Sequence, residues 1–159
     1  MLGYYENEEA TNEVVKDGWF NSGDIGYLDE DGFLFITGRS KNVIVTQNGK
    51  NIYPEEIEML LGNIPEIKEC MVYGKEDEGQ ELIISAKVIP NMDKIKEKYG
   101  NEDLTDEKVH EIIWEEIKKV NKKLTSYKAI KNLEIKKDEF EKTTTMKIKR
   151  YAELSKEKK

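Results

Sequence analysis

The sequence predicts an α+β domain that runs from about Gly38 to the end of a 159-residue chain. Strand-like and helix-like apolar patterns are mixed along the chain, and turn pairs such as Asp-Gly and Asn-Gly recur between short strands. Because 37% of the residues are hydrophobic and fourteen are aromatic, the chain can bury a core, and a wholly disordered chain is excluded.

The first 37 residues read differently from the rest. Residues 1–15 show no clear amphipathic period, and a hairpin follows in which residues 25–28 and 33–36 flank the pair Asp31-Gly32. This stretch has too few apolar positions for a core of its own. We therefore expect residues 1–37 to be the last part of a larger domain.

A second hairpin opens the predicted domain. Residues 43–45 and 51–53 flank a turn that contains Asn48-Gly49, the strongest short-range hairpin signal. Pro54 then stands where a helix can begin, with two glutamates in the first turn.

The remaining elements follow from periodicity and capping. Residues 67–73 and 81–89 predict an antiparallel strand pair, and residues 130–135 predict a further strand. A short helix is expected over residues 92–99, and Thr105 is a suitable N-cap for a longer one. The apolar face of that longer helix is formed by Val109, Ile112, Ile113, Ile117, Val120 and Leu124. A polar loop then precedes an amphipathic stretch near residues 148–154.

Composition excludes several classes of function. No apolar run approaches the ~20 residues that cross a bilayer, and no signal peptide is evident at the N-terminus. One cysteine, Cys70, and one histidine, His110, are too few for a Cys/His metal site or an internal disulfide, so we predict no bound metal and a cytoplasmic protein. The net charge of −7 argues against nucleic acid as a partner.

Three polar features are candidates for chemistry. Asp24 follows Gly23, and its carboxylate suits a vicinal diol such as a ribose, although a turn aspartate is the simpler explanation. Arg39 follows a strand and a glycine, and it can reach an anionic ligand or remain solvated. Residues 142–150 place three threonines before Lys147, a donor-rich loop that can present an ammonium group to a phosphate or form a basic surface.

In this order, the segments resemble the adenylate-forming, acyl-activating enzymes, most closely the bacterial long-chain fatty-acid–CoA ligases. Residues 3–11 look like the family's GYY…EAT segment, and residues 18–24 look like its GW(x)(x)(T/S)GD motif. Residues 31–58 look like its GR…I…G..I.P.EIE block, and residues 142–150 look like its terminal PKTxSGKIxR motif. Four motifs at compatible spacing make the resemblance specific.

The resemblance implies a fold, a reaction and roles for residues. The fold is a small mobile C-terminal domain, residues 38–159, with a mixed sheet packed by helices, after residues 1–37 of a larger N-terminal domain. The reaction uses ATP, Mg²⁺ and coenzyme A to adenylate a carboxylic acid, expected to be a fatty acid, and to pass the acyl group to the thiol. Asp24 and Arg39 would contact the nucleotide, and Lys147 would be the adenylation lysine. Lys41 would be the hinge, and the Gly49 hairpin would reach the thiol channel.

The sequence departs from the terminal motif at two positions. Glu141 replaces its proline, which predicts a looser loop, and Met146 replaces its glycine, which makes a positive φ less expected there. Lys149 is therefore a second candidate for the adenylation lysine. Because the family's phosphate loop and acyl pocket lie in the large N-terminal domain, we expect this chain alone to be inactive. An adenylation domain that loads a carrier protein and a non-catalytic nucleotide-binding module are the alternatives.

Overall fold

The computed structural model describes residues 1–77, 79, 81–100 and 104–155. It divides into two compact units, Met1–Val43 and Ile44–Lys159. The elements of the first unit are α1 (Glu8–Val14), β1 (Val15–Lys16), β2 (Trp19–Phe20), β3 (Asp24–Leu28) and β4 (Leu34–Arg39). The elements of the second unit are β5 (Ile44–Val45), β6 (Asn51–Ile52), α2 (Pro54–Gly62), β7 (Ile67–Glu76), β8 (Leu82–Pro90), α3 (Met92–Tyr99), α4 (Asp106–Asn121), β9 (Ile130–Ile135) and α5 (Arg150–Ser155). Among the described residues, no helix has both the length and the apolar character needed to span a bilayer.

The first unit is built from hairpins. Strand β3 pairs antiparallel with β4 around the predicted Asp31-Gly32 turn, and β1 pairs with β2. Helix α1 was not expected, because none of its residues is buried and the sequence therefore shows no apolar stripe. It begins at Asn7, whose side-chain oxygen accepts a hydrogen bond from the Ala10 N–H at 3.0 Å.

A three-stranded sheet of order β7-β8-β9 organises the second unit. Strands β7 and β8 are antiparallel, as predicted, and β8 and β9 are parallel, so the sheet is mixed. The predicted helix cap is confirmed, since the Thr105 hydroxyl accepts a hydrogen bond from the Lys108 N–H at 3.2 Å. The α+β class and the strands of the second unit are therefore confirmed, whereas β1 and β2 of the first unit were not predicted.

Two apolar clusters cover the two faces of this sheet. The larger cluster packs α2, α3 and α4 against Val72, Ile84 and Val88, and it contains the predicted apolar stripe of α4 from Val109 to Val120. Leu124 was expected on the same helix, but it lies beyond the end of α4 at Asn121 and is only partly buried. Side chains alternate along a strand, so Met71 and Tyr73 point to the opposite face, where they pack with Phe140 and with other residues of the chain's last segment. The segment that carries Lys147 is therefore anchored to the sheet.

Candidate functional site

Asp24 and Arg39 form an ion pair at one end of the β3–β4 hairpin. The strand register places them directly opposite each other, and Arg39 Nε lies 2.8 Å from Asp24 Oδ1. The Asp24 and Arg39 side chains are 29% and 52% exposed, and Arg39 also donates to the Ser22 carbonyl at 3.3 Å. The sequence suggested these residues separately, and the hairpin register brings them together. A carboxylate acceptor and a planar set of donors on one exposed edge suit a hydroxylated, anionic ligand.

Lys41 lies in a short 3-10 turn, Ser40–Asn42, that follows β4. The Lys41 side chain is exposed, and the Ser40 N–H donates to the Gly23 carbonyl at 2.9 Å. The first compact unit ends at Val43, two residues after Lys41.

The Gly49 hairpin is closed by a tight turn that begins at Thr46. The Gly49 N–H donates to the Thr46 carbonyl at 2.9 Å, and the Thr46 N–H donates to the Lys50 carbonyl at 3.0 Å. The Lys50 N–H donates to the Thr46 hydroxyl at 3.0 Å. Gly49 has a φ of 70°, which the turn requires and which glycine adopts without steric cost.

The Lys147 loop repeats this geometry. The Met146 N–H donates to the Thr143 carbonyl at 2.9 Å, and the Thr143 N–H donates to the Lys147 carbonyl at 2.8 Å. The Lys147 N–H donates to the Thr143 hydroxyl at 3.2 Å. On either side, Lys142 and Ile148 form an antiparallel bridge, so Lys147 lies at the tip of a small hairpin.

The three lysines of this hairpin differ in their partners. Lys142 Nζ lies 2.7 Å from Glu69 Oε1, and Lys149 Nζ lies 2.8 Å from Glu141 Oε1. The Lys147 side chain is exposed, and within the described part of the chain it forms no ion pair or side-chain hydrogen bond. An uncompensated ammonium on a tied hairpin can be offered to an incoming anion without first breaking a bond.

Both expectations drawn from the motif departures are wrong. Met146 does adopt a positive φ, of 60°, although it is not glycine, because the hydrogen bonds of the turn fix the backbone around it. Glu141 does not loosen the loop. Its N–H, which a proline would lack, donates at 3.0 Å to the fully buried carboxylate of Glu153, and its carbonyl accepts from the Lys149 N–H at 2.8 Å.

Sequence reasoning missed the carboxylates under this hairpin. Glu153 is 1% exposed, and Glu58 pairs with Arg150 in a largely buried contact. The pattern gave no signal for Glu153, since buried carboxylates are rare. Arg150 and Glu58 both lie within the motif segments, but the sequence gave no indication that their side chains would form an ion pair.

Cys70 does not add a nucleophile to the site. The thiol is half-buried, and burial raises its pKa to about 12, with a further rise from the nearby Glu58 carboxylate. The side chain is therefore a neutral thiol at pH 7 and belongs to the packing, as predicted.

Residues 41–156 match the sequence profile of the AMP-binding enzyme C-terminal domain. The chain belongs to this family. It is also similar to acyl-CoA ligases of the adenylate-forming superfamily. It is 44% identical over 90 residues to an indoleacetate–CoA ligase of Aromatoleum aromaticum, a match that covers 57% of this chain and 18% of that one. It is 53% identical over 72 residues to a long-chain-fatty-acid–CoA ligase of Mycobacterium tuberculosis, covering 45% of this chain and 12% of that one.

Solved structures of such ligases share the fold of this C-terminal domain. An anthranilate CoA ligase in complex with anthranoyl-AMP superposes with a TM-score of 0.75 at 26% identity, over 98% of this chain and 27% of that one. An o-succinylbenzoate CoA synthetase of Bacillus subtilis, bound to its acyl-adenylate, gives a TM-score of 0.70 at 26% identity, over 94% of this chain and 27% of that one. The chain thus spans less than a third of the length of the ligases that it matches.

Proposed function

We propose that this chain is the C-terminal part of an ATP-dependent acid–thiol ligase. In the first step a carboxylate oxygen bonds to the α-phosphorus of Mg–ATP, the bond to the bridging oxygen breaks, and pyrophosphate leaves. In the second step the thiol of coenzyme A loses its proton, its sulfur bonds to the acyl carbon, and AMP leaves. Lys147 carries this proposal, because it is exposed at the hairpin, forms no ion pair with any residue that the structure describes, and can bring together the two anions that must meet in the first step.

Each candidate residue has a task in this scheme. The Lys147 ammonium would bridge the carboxylate and the α-phosphate and offset the charge that develops there. Asp24 would accept hydrogen bonds from the ribose hydroxyls, and Arg39 would contact the ribose and phosphate side. Lys41 would be the hinge, and rotation about it would exchange Lys147 for the Gly49 hairpin at the thiol channel.

Magnesium enters this proposal as part of the substrate Mg–ATP. Within the described residues, no group of three His, Cys, Asp or Glu side chains is placed to hold a metal ion. We therefore assign the ion no ligand in this chain.

The proposal includes a larger N-terminal domain as partner. Residues 1–37 would be the end of that domain, and residues 38–159 would be the mobile lid of a cytoplasmic enzyme. The exposed apolar side chains of the first unit support this, among them Trp19, Phe33, Leu34 and Ile36, which are 56% to 82% exposed. A hairpin that leaves so many apolar side chains exposed is typical of a piece of a larger packed structure.

The acid is proposed to be a fatty acid. The similarity to a long-chain-fatty-acid–CoA ligase supports this choice, and the similarity to an indoleacetate–CoA ligase makes an aromatic acid the competing substrate. Turnover of the complete ligase with a panel of fatty and aryl acids decides between these two classes of acid. The same assay with either free coenzyme A or a carrier-protein thiol as the acceptor decides which thiol receives the acyl group.

The role of Lys147 is tested by half-reactions of the complete ligase. In Lys147→Ala we expect pyrophosphate release to fall about a hundredfold or more, the size typical of losing one group that stabilises a transition state. Thioester formation from supplied acyl-adenylate should change far less. If adenylation survives in Lys147→Ala, the chain is a non-catalytic module. If instead Lys149→Ala abolishes adenylation, the register of the motif is wrong.

The 159-residue chain alone is expected to form no acyl-CoA from ATP, a fatty acid and coenzyme A. The phosphate loop and the acyl pocket would lie in the N-terminal domain. Detection of acyl-CoA above the background of an enzyme-free reaction would contradict this division of labour.

A further inference from the structure

Arg150 and Glu58 form a two-pronged contact beneath the Lys147 hairpin. Arg150 Nη2 lies 2.5 Å from each carboxylate oxygen of Glu58, and Nη1 donates to the Val72 carbonyl at 2.8 Å. Glu58 Oε1 also accepts a hydrogen bond from the Val72 N–H at 2.6 Å. The two side chains are 21% and 19% exposed, so this network is shielded from competing water.

The contact joins three elements that are far apart in sequence. Arg150 is the first residue of α5 and follows the Lys147 hairpin directly, Val72 is a buried residue in the middle of β7, and Glu58 lies on α2. Arg150 lies three positions after Lys147, a distance of at most about 11 Å along an extended chain. The guanidinium therefore fixes the base of a short arm whose tip carries the ammonium.

Helix α2 also begins two residues after β6, the second strand of the Gly49 hairpin. The same ion pair thus connects the Lys147 hairpin to the element that supports the Gly49 hairpin. The guanidinium divides these contacts between two nitrogens, Nη2 to the Glu58 carboxylate and Nη1 to the Val72 carbonyl, whereas a lysine has a single nitrogen for both acceptors.

We propose that Arg150 is a positioning residue, which acts through Glu58 and Val72 to hold Lys147 where the acyl and phosphate groups meet. The proposal rests on the function proposed above. Misplacing a reacting group by about 1 Å can cost on the order of a hundredfold in rate, so a loosened hairpin should slow adenylation without removing the ammonium.

The experiment compares half-reactions in the complete ligase. In Arg150→Ala we expect kcat for pyrophosphate release to fall between tenfold and a hundredfold, with KM for ATP and for the acid within threefold. Thioester formation from supplied acyl-adenylate should stay within threefold. Arg150→Lys should recover part of kcat, because it keeps the charge and one contact, and Arg150→Ala combined with Glu58→Ala should cost little more than either change alone.

A matched control is available on the same helix. Glu56 of α2 lies 2.6 Å from Lys128 Nζ in a pair of similar burial, and neither residue belongs to the Lys147 hairpin. Lys128→Ala should therefore leave kcat for adenylation within twofold. In the 159-residue chain, amide hydrogen exchange at Thr143 and Lys149, both bonded within the hairpin, should speed up in Arg150→Ala and not in Lys128→Ala.

The outcomes separate the two proposals. If Lys147→Ala abolishes adenylation and Arg150→Ala leaves it within twofold, the positioning role is overturned and the proposed function stands. If Lys147→Ala leaves adenylation intact, the proposed function fails and the positioning role falls with it. If Arg150→Ala does not fold, Arg150→Lys and Glu58→Gln carry the test. An equal loss of both half-reactions in these variants would show a structural role only and overturn the proposal.

Discussion

Met146 holds a backbone conformation that glycine holds in the matching loop, and this predicts the effect of exchanging them. Met146 and Gly49 have φ values of 60° and 70° in turns with the same three hydrogen bonds. The left-handed conformation costs an L-residue about 1–2 kcal/mol, and the extra chain entropy of a glycine offsets about 0.5–1 kcal/mol of that. The Met146 side chain is 72% exposed, so its removal loses little packing.

Met146→Gly is therefore expected to raise the free energy of unfolding by about 0.5–1 kcal/mol. Gly49→Ala should lower it by a similar amount, because nothing lies within 4 Å of an added Cβ and the backbone strain alone remains. The two changes together should nearly cancel.

Urea denaturation of the 159-residue chain measures this. The chain has two tryptophans, and Trp19 is 82% exposed in the first unit, so a Trp19→Phe background leaves Trp114 to report on the second unit. The expected result is a change in the midpoint with an unchanged m-value. If Met146→Gly lowers the midpoint, or Gly49→Ala leaves it unchanged, the strain argument is refuted.

Three further changes test buried and charged contacts in the second unit. Glu141→Pro should lower the free energy of unfolding by about 1–3 kcal/mol, because it removes the N–H that donates a hydrogen bond to the buried Glu153 carboxylate. Glu141→Ala keeps this N–H and should cost less than about 1 kcal/mol in the same denaturation assay. Ser85→Ala should raise the free energy of unfolding by about 1 kcal/mol, because the Ser85 hydroxyl is fully buried and has no hydrogen-bond partner among the described residues. A lower urea midpoint than that of the wild type would contradict this. Burial alone would raise the pKa of Glu134, but hydrogen bonds from Lys75 and Tyr73 outweigh it and hold that pKa below the usual 4.5. A carboxylate whose pKa is lowered by folding contributes stability above pH 4.5, and this contribution is lost as the pH falls through the pKa of the folded state. Between pH 7 and pH 3, the free energy of unfolding should therefore fall by about 0.5–1 kcal/mol more in the wild type than in Glu134→Gln. Urea denaturation at the two pH values measures this difference.

Local signals predicted most of the fold. The Asp31-Gly32 and Asn48-Gly49 turns join the paired strands of their hairpins, as predicted. The pairing of Asp24 with Arg39 needs one more feature, because the register of the first hairpin shifts by one residue between Ile25 and Gly26 and so brings Arg39 rather than Gly38 opposite Asp24. Helix α1 was missed because it depends on the Asn7 cap and buries nothing, so its sequence has no periodicity to detect.

The environment of the Lys147 hairpin could not be predicted, because it depends on contacts between distant residues. Glu153 accepts from Glu141 twelve residues away, and Arg150 meets Glu58 across 92 residues. A proline or glycine missing from a motif is visible in the sequence. The buried carboxylate that replaces the rigidity of the proline is visible only after folding, which is why Glu141 was misjudged.

The two matching loops show that local geometry does not by itself make a site. Each places a lysine directly after the left-handed residue, Lys50 in one and Lys147 in the other. Lys50 Nζ lies 4.3 Å from the centre of the Tyr127 ring, so its ammonium group already forms a cation–π contact within the chain. Lys147 has no such aromatic neighbour among the described residues, and the other two lysines of its hairpin, Lys142 and Lys149, are each paired with a carboxylate. The difference lies in what surrounds each loop, so the proposed reactivity of Lys147 depends on the neutralisation of Lys142 and Lys149 beside it as much as on the turn that presents it.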